Sequence, residues 1–356
     1  MAPRKILVSA GEASGDFYAA RLVEVLRHRF PEADFFGCAG RHMRAAGVRA
    51  VVDASQIAVV GLFEVVSHIP RIYAEFRRLA AAAAAAKPDL AILTDSPDFH
   101  LRLAPRLKRL GIPVLYLVAP QVWAWRKKRI DVIRRNVDRM LCIFPFEEEF
   151  FRRHGVRADY IGHPLARIVK PSLSREEFFQ KHGLEEGHPL ITLLPGSRQG
   201  EISRHLPSLL VATETLRQQC SCSFLLALPG GLRHAAAVRE EAGGRPVVVV
   251  EGETWDAIAH ADLALAASGT VTVEAALLGT PMVTFYRVSR PSWWMGRVLV
   301  RVPFYSMVNL VAGRRVVPEL MQNEMTGGSI AGEALRLLNR PADREEMKRS
   351  LAQVAA

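Results

Sequence analysis

Residues 263–286 read LALAASGTVTVEAALLGTPMVTFY, and this stretch decides the fold. The apolar run LALAA predicts a buried strand, and the turn Ser268-Gly269-Thr270 after it predicts a helix from about Val271. The helix should stop at Gly279-Thr280-Pro281, before a second apolar strand, PMVTFY. A strand, a helix and another strand in this order are typical of a parallel sheet covered by helices.

The same alternation runs along most of the chain. Strand-like runs in the first half are RKILVSA, DFFGCAG, DLAILTD, PVLYLVAP and RMLCIF, and PLITLLPGS, SFLLALPG and PVVVVEG follow in the second. A proline-containing stretch interrupts the alternation near residue 170. We therefore predict an α/β fold of two Rossmann-like domains, residues 1–170 and 171–334, facing each other across a cleft that holds the ligands. A last helix, about residues 335–356, can pack back on the first domain.

Charge is distributed unevenly along the chain. The net charge of the 356 residues is +11, yet residues 1–170 hold 28 Lys and Arg against 17 Asp and Glu, whereas residues 171–356 hold 19 of each. The excess positive charge of the first half indicates an anionic partner, which could be nucleic acid, a phosphorylated substrate or a lipid surface.

Cysteine usage and hydropathy bound the location of the protein. The four cysteines fit no zinc-binding spacing, so we expect reduced thiols in a cytoplasmic protein and no metal site. The first apolar run has the length of a strand rather than of a signal peptide. No window reaches the roughly 18 apolar residues of a spanning helix, so the sequence predicts a soluble or peripheral protein.

The turn within the quoted stretch is the strongest candidate binding site. Ser268 and Thr270 can cap the following helix, and the backbone around Gly269 can hold a phosphate. Glu274 lies one helical turn further on the same face, where its carboxylate can accept both hydroxyls of a ribose. This spacing indicates a nucleoside diphosphate; the alternative is a capped helix with a surface glutamate.

A second turn of this kind is Gly196-Ser197-Arg198, which follows the apolar run LITLLP. Its backbone N–H groups suit a phosphate oxygen, and Arg198 can add further donors. The alternative is an ordinary strand-to-helix turn. Neither this turn nor the one at Ser268 has the dinucleotide-binding GxGxxG pattern or a Walker lysine.

Two acidic turns in the first half are candidates for contacts with a sugar. GEASGD contains Glu12, Ser14 and Asp16, which can orient hydroxyl groups or can simply cap a helix. LTDSPDF contains Asp95 and Asp98 on either side of a proline, where a strand should end.

Aromatic and basic residues are combined in three further stretches. Gln121, Trp123 and Arg126 belong to PQVWAWRKKR, which could bind nucleic acid or a phosphorylated amphiphile, or form a solvated basic helix. Residues 62–79 carry an apolar stripe with flanking arginines, which could lie in a membrane interface or face the core, and Pro70 should break or kink this helix. Residues 291–297, PSWWMGR, have the same two interpretations.

These motifs together resemble one family, the lipid A disaccharide synthases, over nearly the whole chain. The matching motifs, in family order, are GEASGD, TDSPDF, PQVWAWR, IGHPL, LLPGSR with Glu201, ASGTVTVE, PMVTFYR and NLVAGRRVVPELMQ.

The resemblance implies an inverting glycosyltransferase of the GT-B fold. Such an enzyme joins UDP-2,3-diacylglucosamine to 2,3-diacylglucosamine 1-phosphate, releases UDP and leaves a β-1,6-linked disaccharide 1-phosphate, a precursor of lipid A. It implies a peripheral protein on the anionic cytoplasmic face of the inner membrane, with no nucleic acid partner, and it allows a homodimer. It implies no cofactor, since the UDP-sugar is a substrate, and no metal for the chemistry.

The resemblance also assigns roles to single residues. Asp98 matches the general base, and Arg198 matches an arginine of the UDP site. Asn309, Glu319 and Gln322 match a motif near the nucleotide. Two rival functions stay open at this point: another UDP-sugar enzyme of the same fold, such as a 2-epimerase, and a basic nucleic-acid-binding protein.

Overall fold

The computed structural model describes residues 4–57, 62–124, 128–232, 235–299 and 302–355, with only the backbone described at 62–68, 295, 298 and 299. The chain folds into two compact units, Met1–Pro164 and Leu165–Ala356. Each unit has its own cluster of buried apolar side chains. The division falls within the proline-containing stretch that the sequence singles out.

Unit 1 alternates strands and helices from its beginning. Its elements are β1 (Lys5–Ser9), α1 (Ala13–Arg29), β2 (Asp34–Ala39), α2 (Arg41–Ala45), β3 (Arg49–Asp53), α3 (Leu62–Ala86), β4 (Leu90–Thr94), α4 (Pro97–Arg109), β5 (Val114–Leu117), α5 (Arg129–Asn136), β6 (Arg139–Cys142), α6 (Pro145–Arg153) and β7 (Ala158–Tyr160).

The described strands of unit 1 form one parallel sheet in the order β3-β2-β1-β4-β5-β6-β7. Strand order reverses between β1 and β4, so the turns that follow these two strands lie side by side at the carboxyl edge. Ligands of open parallel sheets bind at such a reversal. The turns concerned are GEASGD and LTDSPDF.

Unit 2 repeats the plan. Its elements are α7 (Arg175–His182), β8 (Leu190–Leu194), α8 (Gln199–Arg217), β9 (Ser223–Leu228), α9 (Ala235–Ala242), β10 (Val247–Glu251), α10 (Thr254–Ala259), β11 (Leu263–Ala267), α11 (Thr270–Leu277), β12 (Met282–Tyr286), α12 (Arg290–Leu299), α13 (Met307–Ala312), β13 (Glu319–Met321), α14 (Gly327–Asn339) and α15 (Pro341–Ala355).

The described strands of unit 2 are also parallel, in the order β10-β9-β8-β11-β12-β13. The reversal falls between β8 and β11, so the turns at Gly196 and Gly269 are neighbours at the carboxyl edge. The last helix, α15, packs on α11, α13 and α14 of its own unit. Two parallel-sheet α/β units confirm the predicted fold class.

Helix α3 continues through Pro70 as one helix, Leu62–Ala86, so Pro70 does not break it. Its predicted stripe divides into two faces. Phe76 and Leu79 belong to the core, whereas Ile69 and Tyr73 are 52% and 55% exposed. Leu62, Val65 and Val66, the remaining residues of the first part of the stripe, have no described side chains. Among the described residues, none of the helices combines the length and the hydropathy that crossing a bilayer requires.

Candidate active site

The amino terminus of α11 lies at the carboxyl end of β11 and has no side-chain cap. Gly269 holds the N-cap position, and Ser268 donates its hydroxyl to the carbonyl of Tyr305 at 3.0 Å, so the predicted hydroxyl cap is not formed. A Cβ added at Gly269 would meet no atom within 4 Å. An uncapped helix start beside open space is suited to an anionic ligand, because its backbone N–H groups and dipole favour negative charge.

Glu274 lies one turn into α11 and is half-buried. Burial raises the pKa of its carboxyl group, and a hydrogen bond from the Trp255 side chain on α10 partly offsets this rise. Trp255 therefore fixes the carboxylate, which retains further lone pairs for hydroxyl donors. Thr270 and Glu274 lie on one helix, directly after the turn at Ser268, as the spacing predicts. Nothing in the sequence indicated Trp255 as the partner of Glu274.

The turn at Gly196 is organised by Glu201 in the first turn of α8. The Glu201 carboxylate accepts hydrogen bonds from the backbone N–H groups of Ser197 and Arg198 at 3.0 and 3.2 Å. Gly196 has φ +124°, and a Cβ there would come within 2.7 Å of the same carboxylate. The N–H groups that the sequence assigned to phosphate therefore hold Glu201 instead.

Two more groups converge on Glu201. Arg198 pairs with its Oε1 atom at 3.0 Å, and Tyr286 donates its hydroxyl to the same atom at 2.9 Å. Burial alone would raise the pKa of Glu201, but Arg198, Tyr286 and the Ser197 N–H outweigh it and lower the pKa. The Arg198 side chain is about half exposed, at 49%, so it can also contact an anionic ligand at this edge.

Asn309 and Glu319 are buried and bond to backbone rather than facing open space. Glu319 accepts hydrogen bonds from the N–H groups of Tyr305 and Ser306 at 3.0 and 2.9 Å and from the Asn309 amide at 2.8 Å. The resemblance places both residues near the nucleotide, and that assignment stays a prediction. They hold the loop whose Tyr305 carbonyl receives the Ser268 hydroxyl, so they position the start of α11.

Gln322 likewise bonds to a neighbouring loop, with Oε1 accepting from Val288 N at 3.1 Å and Nε2 donating to Val288 O at 2.9 Å. His205 adds a second connection that the sequence did not suggest. Its Nδ1 atom donates to the Pro195 carbonyl at 2.7 Å, and its Nε2 atom accepts from Arg287 N at 3.0 Å. These contacts join the loops after β8, β12 and β13 into one rigid edge.

Asp95 connects the two turns at the edge of unit 1. Its carboxylate accepts hydrogen bonds from the N–H groups of Gly11 and Glu12 at 2.7 and 3.0 Å. A Cβ at Gly15 would come within 1.6 Å of the Asp95 Oδ2 atom. Burial raises the pKa of Asp95 to about 8, although these two N–H groups lower it. Asp95 thus binds the GEASGD turn as well as Ser96 of its own turn.

A buried hydrogen-bond network fixes the backbone of Asp95. Its carbonyl accepts the Tyr116 hydroxyl at 2.6 Å and the His100 Nδ1 atom at 3.0 Å, while His100 Nε2 lies 2.7 Å from the Ser9 hydroxyl. Burial lowers the pKa of His100 to about 4, so the ring is neutral near pH 7. The network supports positive φ angles at Asp95 and Ser96, +51° and +34°, which non-glycine residues rarely adopt.

Asp98 lies in the first turn of α4, where its side chain is 63% exposed. Arg129, the first residue of α5, forms an ion pair with it through Nη2 and is itself only 16% exposed. The sequence singled out Arg126 in this segment, but Arg126 lies outside the described residues. An exposed carboxylate oriented by a half-buried guanidinium is a suitable proton acceptor for a hydroxyl group.

The GEASGD turn divides into exposed and buried acidic residues. Glu12 and Ser14 are exposed at the start of α1. Asp16 is 3% exposed, and its carboxylate accepts the N–H groups of Gly40 and His42 at 2.7 and 2.8 Å. Asp16 therefore caps α2, which agrees with the capping alternative for this turn rather than with a contact to a sugar.

Trp123 also has a structural partner. Its indole N–H donates to Glu147 at 3.1 Å, and its ring meets Phe146 edge-on with centroids 5.0 Å apart. Burial raises the pKa of Glu147 to about 7. Trp123 thus anchors the segment before α5 to α6, while Gln121 is exposed beside it. Within the described residues no group of three or more His, Cys, Asp or Glu could hold a metal ion.

Solved structures with the same fold include two UDP-sugar or sugar-transfer proteins. The chain is similar to a UDP-GlcNAc 2-epimerase from Neisseria meningitidis (TM-score 0.67, 13% identity, covering 99% and 97% of the two chains). It is also similar to a glycosyltransferase from Rickettsia africae (TM-score 0.60, 10% identity, covering 99% and 94%). At these identities the likeness concerns the fold alone.

Sequence relatives are much closer. A lipid-A-disaccharide synthase of Solibacter usitatus is 62% identical over 350 residues, covering 98% of this chain and 92% of that protein. One of Myxococcus xanthus is 46% identical, covering 99% and 92%. The family model described as lipid-A-disaccharide synthetase matches residues 6–355. With this match, and with the two parallel-sheet units, the chain is a glycosyltransferase that belongs to the lipid-A-disaccharide synthetase family.

Proposed function

We propose that the chain transfers 2,3-diacylglucosamine from its UDP conjugate to the 6-hydroxyl of 2,3-diacylglucosamine 1-phosphate. The products are a β-1,6-linked disaccharide 1-phosphate and UDP, in lipid A biosynthesis. The observation that carries this proposal is the uncapped start of α11, with open space at Gly269 and the carboxylate of Glu274 one turn away. A nucleoside diphosphate needs such a pair of sites, one for phosphate and one for ribose.

Unit 2 is the proposed donor-binding domain. The diphosphate oxygens would bind the N–H groups at the start of α11, and Glu274 would accept the ribose hydroxyls. Arg198 would reach the same phosphates from the neighbouring turn, since the turns after β8 and β11 are adjacent in the sheet. Both contacts stabilise the charge that UDP gains as it departs.

Unit 1 is the proposed acceptor-binding domain, with Asp98 as the general base. Asp98 takes the proton of the acceptor 6-hydroxyl while that oxygen bonds to the anomeric carbon of the donor. The bond from this carbon to the UDP oxygen breaks on the opposite face, so the anomeric configuration inverts. One displacement needs one base and no covalent sugar intermediate. The UDP-sugar is a substrate, and the proposal includes no metal or cofactor.

We also place the protein on the cytoplasmic face of the inner membrane as a peripheral enzyme, and a homodimer remains a prediction. The exposed side of α3 supports membrane contact, because Ile69 and Tyr73 project from it and the exposed Arg77 follows Tyr73 by one helical turn. Apolar and cationic side chains on one helix face are typical of helices that lie in an anionic interface.

The proposed function is tested by incubating the protein with UDP-2,3-diacylglucosamine and 2,3-diacylglucosamine 1-phosphate in detergent. We expect mass spectrometry to detect a disaccharide 1-phosphate together with one UDP per product. A second incubation with water-soluble UDP-GlcNAc examines the 2-epimerase alternative. Epimerised UDP-sugar in place of disaccharide would reject the proposal.

A further inference from the structure

We propose that α12 is a membrane-contact helix that lays Trp294, Arg290 and Arg297 on an anionic bilayer beside the donor site. The inference deepens the proposed function and rests on it for the identity of the donor. Trp294 is 72% exposed, the largest exposure among the large apolar side chains described. Arg290 and Arg297 are exposed on the same helix, seven residues apart and hence close to one face.

Local charge supports a lipid partner. From Arg287 to Pro318 the chain holds six arginines and no Asp or Glu, although residues 171–356 are balanced overall. A largely exposed indole, in a segment whose charged residues are all cationic, suits the headgroup region of an anionic bilayer. Tryptophan favours that region because its ring is apolar and its N–H is polar, and arginine binds lipid phosphates there.

The helix is also continuous with the donor site. The Trp293 ring lies 6.1 Å from the ring of Tyr305, which is 41% exposed, and the Tyr305 carbonyl accepts the Ser268 hydroxyl at the start of α11. A bilayer in contact with Trp294 would therefore lie near the place where the donor diphosphate is proposed to bind. The acyl chains of the donor could then stay in the lipid while its sugar enters the site.

The inference is tested with vesicles of phosphatidylglycerol and phosphatidylethanolamine, by measuring how much protein sediments with them. We expect Trp294→Ser to weaken binding by about tenfold, as expected for losing one buried aromatic side chain. Arg297→Gln should weaken it by about fivefold, the contribution of one cation near an anionic surface. Val25→Ser and Arg217→Gln, which remove an exposed apolar and an exposed cationic side chain elsewhere, should bind like the unchanged protein.

A second readout separates membrane contact from catalysis. Turnover of substrates embedded in vesicles should fall for Trp294→Ser, whereas turnover of the same substrates in detergent should stay unchanged.

Equal vesicle binding by all variants would overturn the inference even if the enzyme is fully active. So would a change in self-association of Trp294→Ser without lipid, if vesicle binding is unaltered, because α12 would then contact a second copy. Absence of disaccharide from the unchanged protein in detergent would instead reject the proposed function, and the sedimentation result would still decide the role of α12.

Discussion

Arg129 and Asp98 form an ion pair that joins the start of α5 to the first turn of α4. The carboxylate is the more exposed partner and the guanidinium the more buried one. The pair therefore holds one proposed catalytic oxygen atom in a defined place while the acceptor can still approach it.

Replacing Asp98 by Asn should remove the proton acceptor and keep the shape of the site. We expect turnover to fall by about two to four powers of ten, the usual contribution of a general base, while UDP affinity changes little. Steady-state kinetics and calorimetric UDP titration measure the two effects. Asp131→Asn is the matched control, because Asp131 is an exposed, ion-paired carboxylate on neighbouring α5. Turnover of Asp98→Asn close to that of the control would exclude Asp98 as the base.

Replacing Arg129 by Gln should remove the ion pair that orients the Asp98 carboxylate. We expect kcat to fall by about tenfold, in line with the loss of a charge-assisted hydrogen bond, and Arg129→Lys to recover part of it. Arg134→Gln, which breaks the exposed ion pair with Asp131, should keep kcat. An equal loss in the Lys and Gln variants would show that the charge of Arg129 does not orient the base.

Replacing Glu274 by Ala should remove the proposed ribose contact. We expect UDP to bind about tenfold to a hundredfold more weakly, because hydrogen bonds to a charged group are lost. Glu214→Ala is a control in the same unit, since Glu214 pairs with Arg245 on the surface. Unchanged UDP affinity of Glu274→Ala, measured by titration calorimetry, would reject the ribose assignment.

The contact of Asp95 with the GEASGD turn leaves no room at Gly15. Gly15→Ala should displace the Asp95 carboxylate, because the new Cβ would lie 1.6 Å from it in the present arrangement. We expect a loss of about 1–3 kcal/mol in unfolding free energy, from overpacking and broken hydrogen bonds. Gly332→Ala, in α14 with no atom within 4 Å of the added Cβ, should be neutral or stabilising in the same denaturant titration.

Asp95 should also make stability depend on pH. Its pKa is about 8 in the folded chain, against an ordinary value of 3.8, so the folded state binds this proton more tightly than the unfolded state does. The stability that this proton contributes is therefore complete below pH 3.8 and is lost as the pH rises through about 8. The loss has a slope of up to about 1.4 kcal/mol per pH unit. Urea midpoints measured between pH 5 and pH 9 should fall less steeply with pH for Asp95→Asn than for the unchanged protein. Parallel curves for the two proteins would contradict the raised pKa of Asp95.

The sequence predicted the central strands of both sheets but not β3, β7 or β13. These three strands all lie at sheet edges. Their sequences, RAVVD, ADY and ELM, mix charged and apolar residues, because an edge strand is covered less than a central one. A continuous apolar run, the pattern that reveals a buried parallel strand, is therefore missing from them.

The candidate site shows the same limit at the level of side chains. The spacing from Ser268 to Glu274 could be predicted because the turn at Ser268 leads directly into the helix that carries Glu274. The partners of Asp16, Asp95 and Asp98 could not, since each carboxylate bonds to a residue 24 to 84 positions away in the chain. Such pairs depend on which strands are neighbours in the sheet.

Glu201 occupies part of the turn at Gly196 where an anionic ligand could bind. The side chain already supplies negative charge to the N–H groups of Ser197 and Arg198, so the turn is saturated by an anion that belongs to the protein itself. Its backbone conformation is therefore preorganised before any substrate arrives, which lowers the ordering entropy lost on binding. Free inorganic phosphate would have to displace the Glu201 carboxylate from these N–H groups, whereas the half-exposed guanidinium of Arg198 can still contact it.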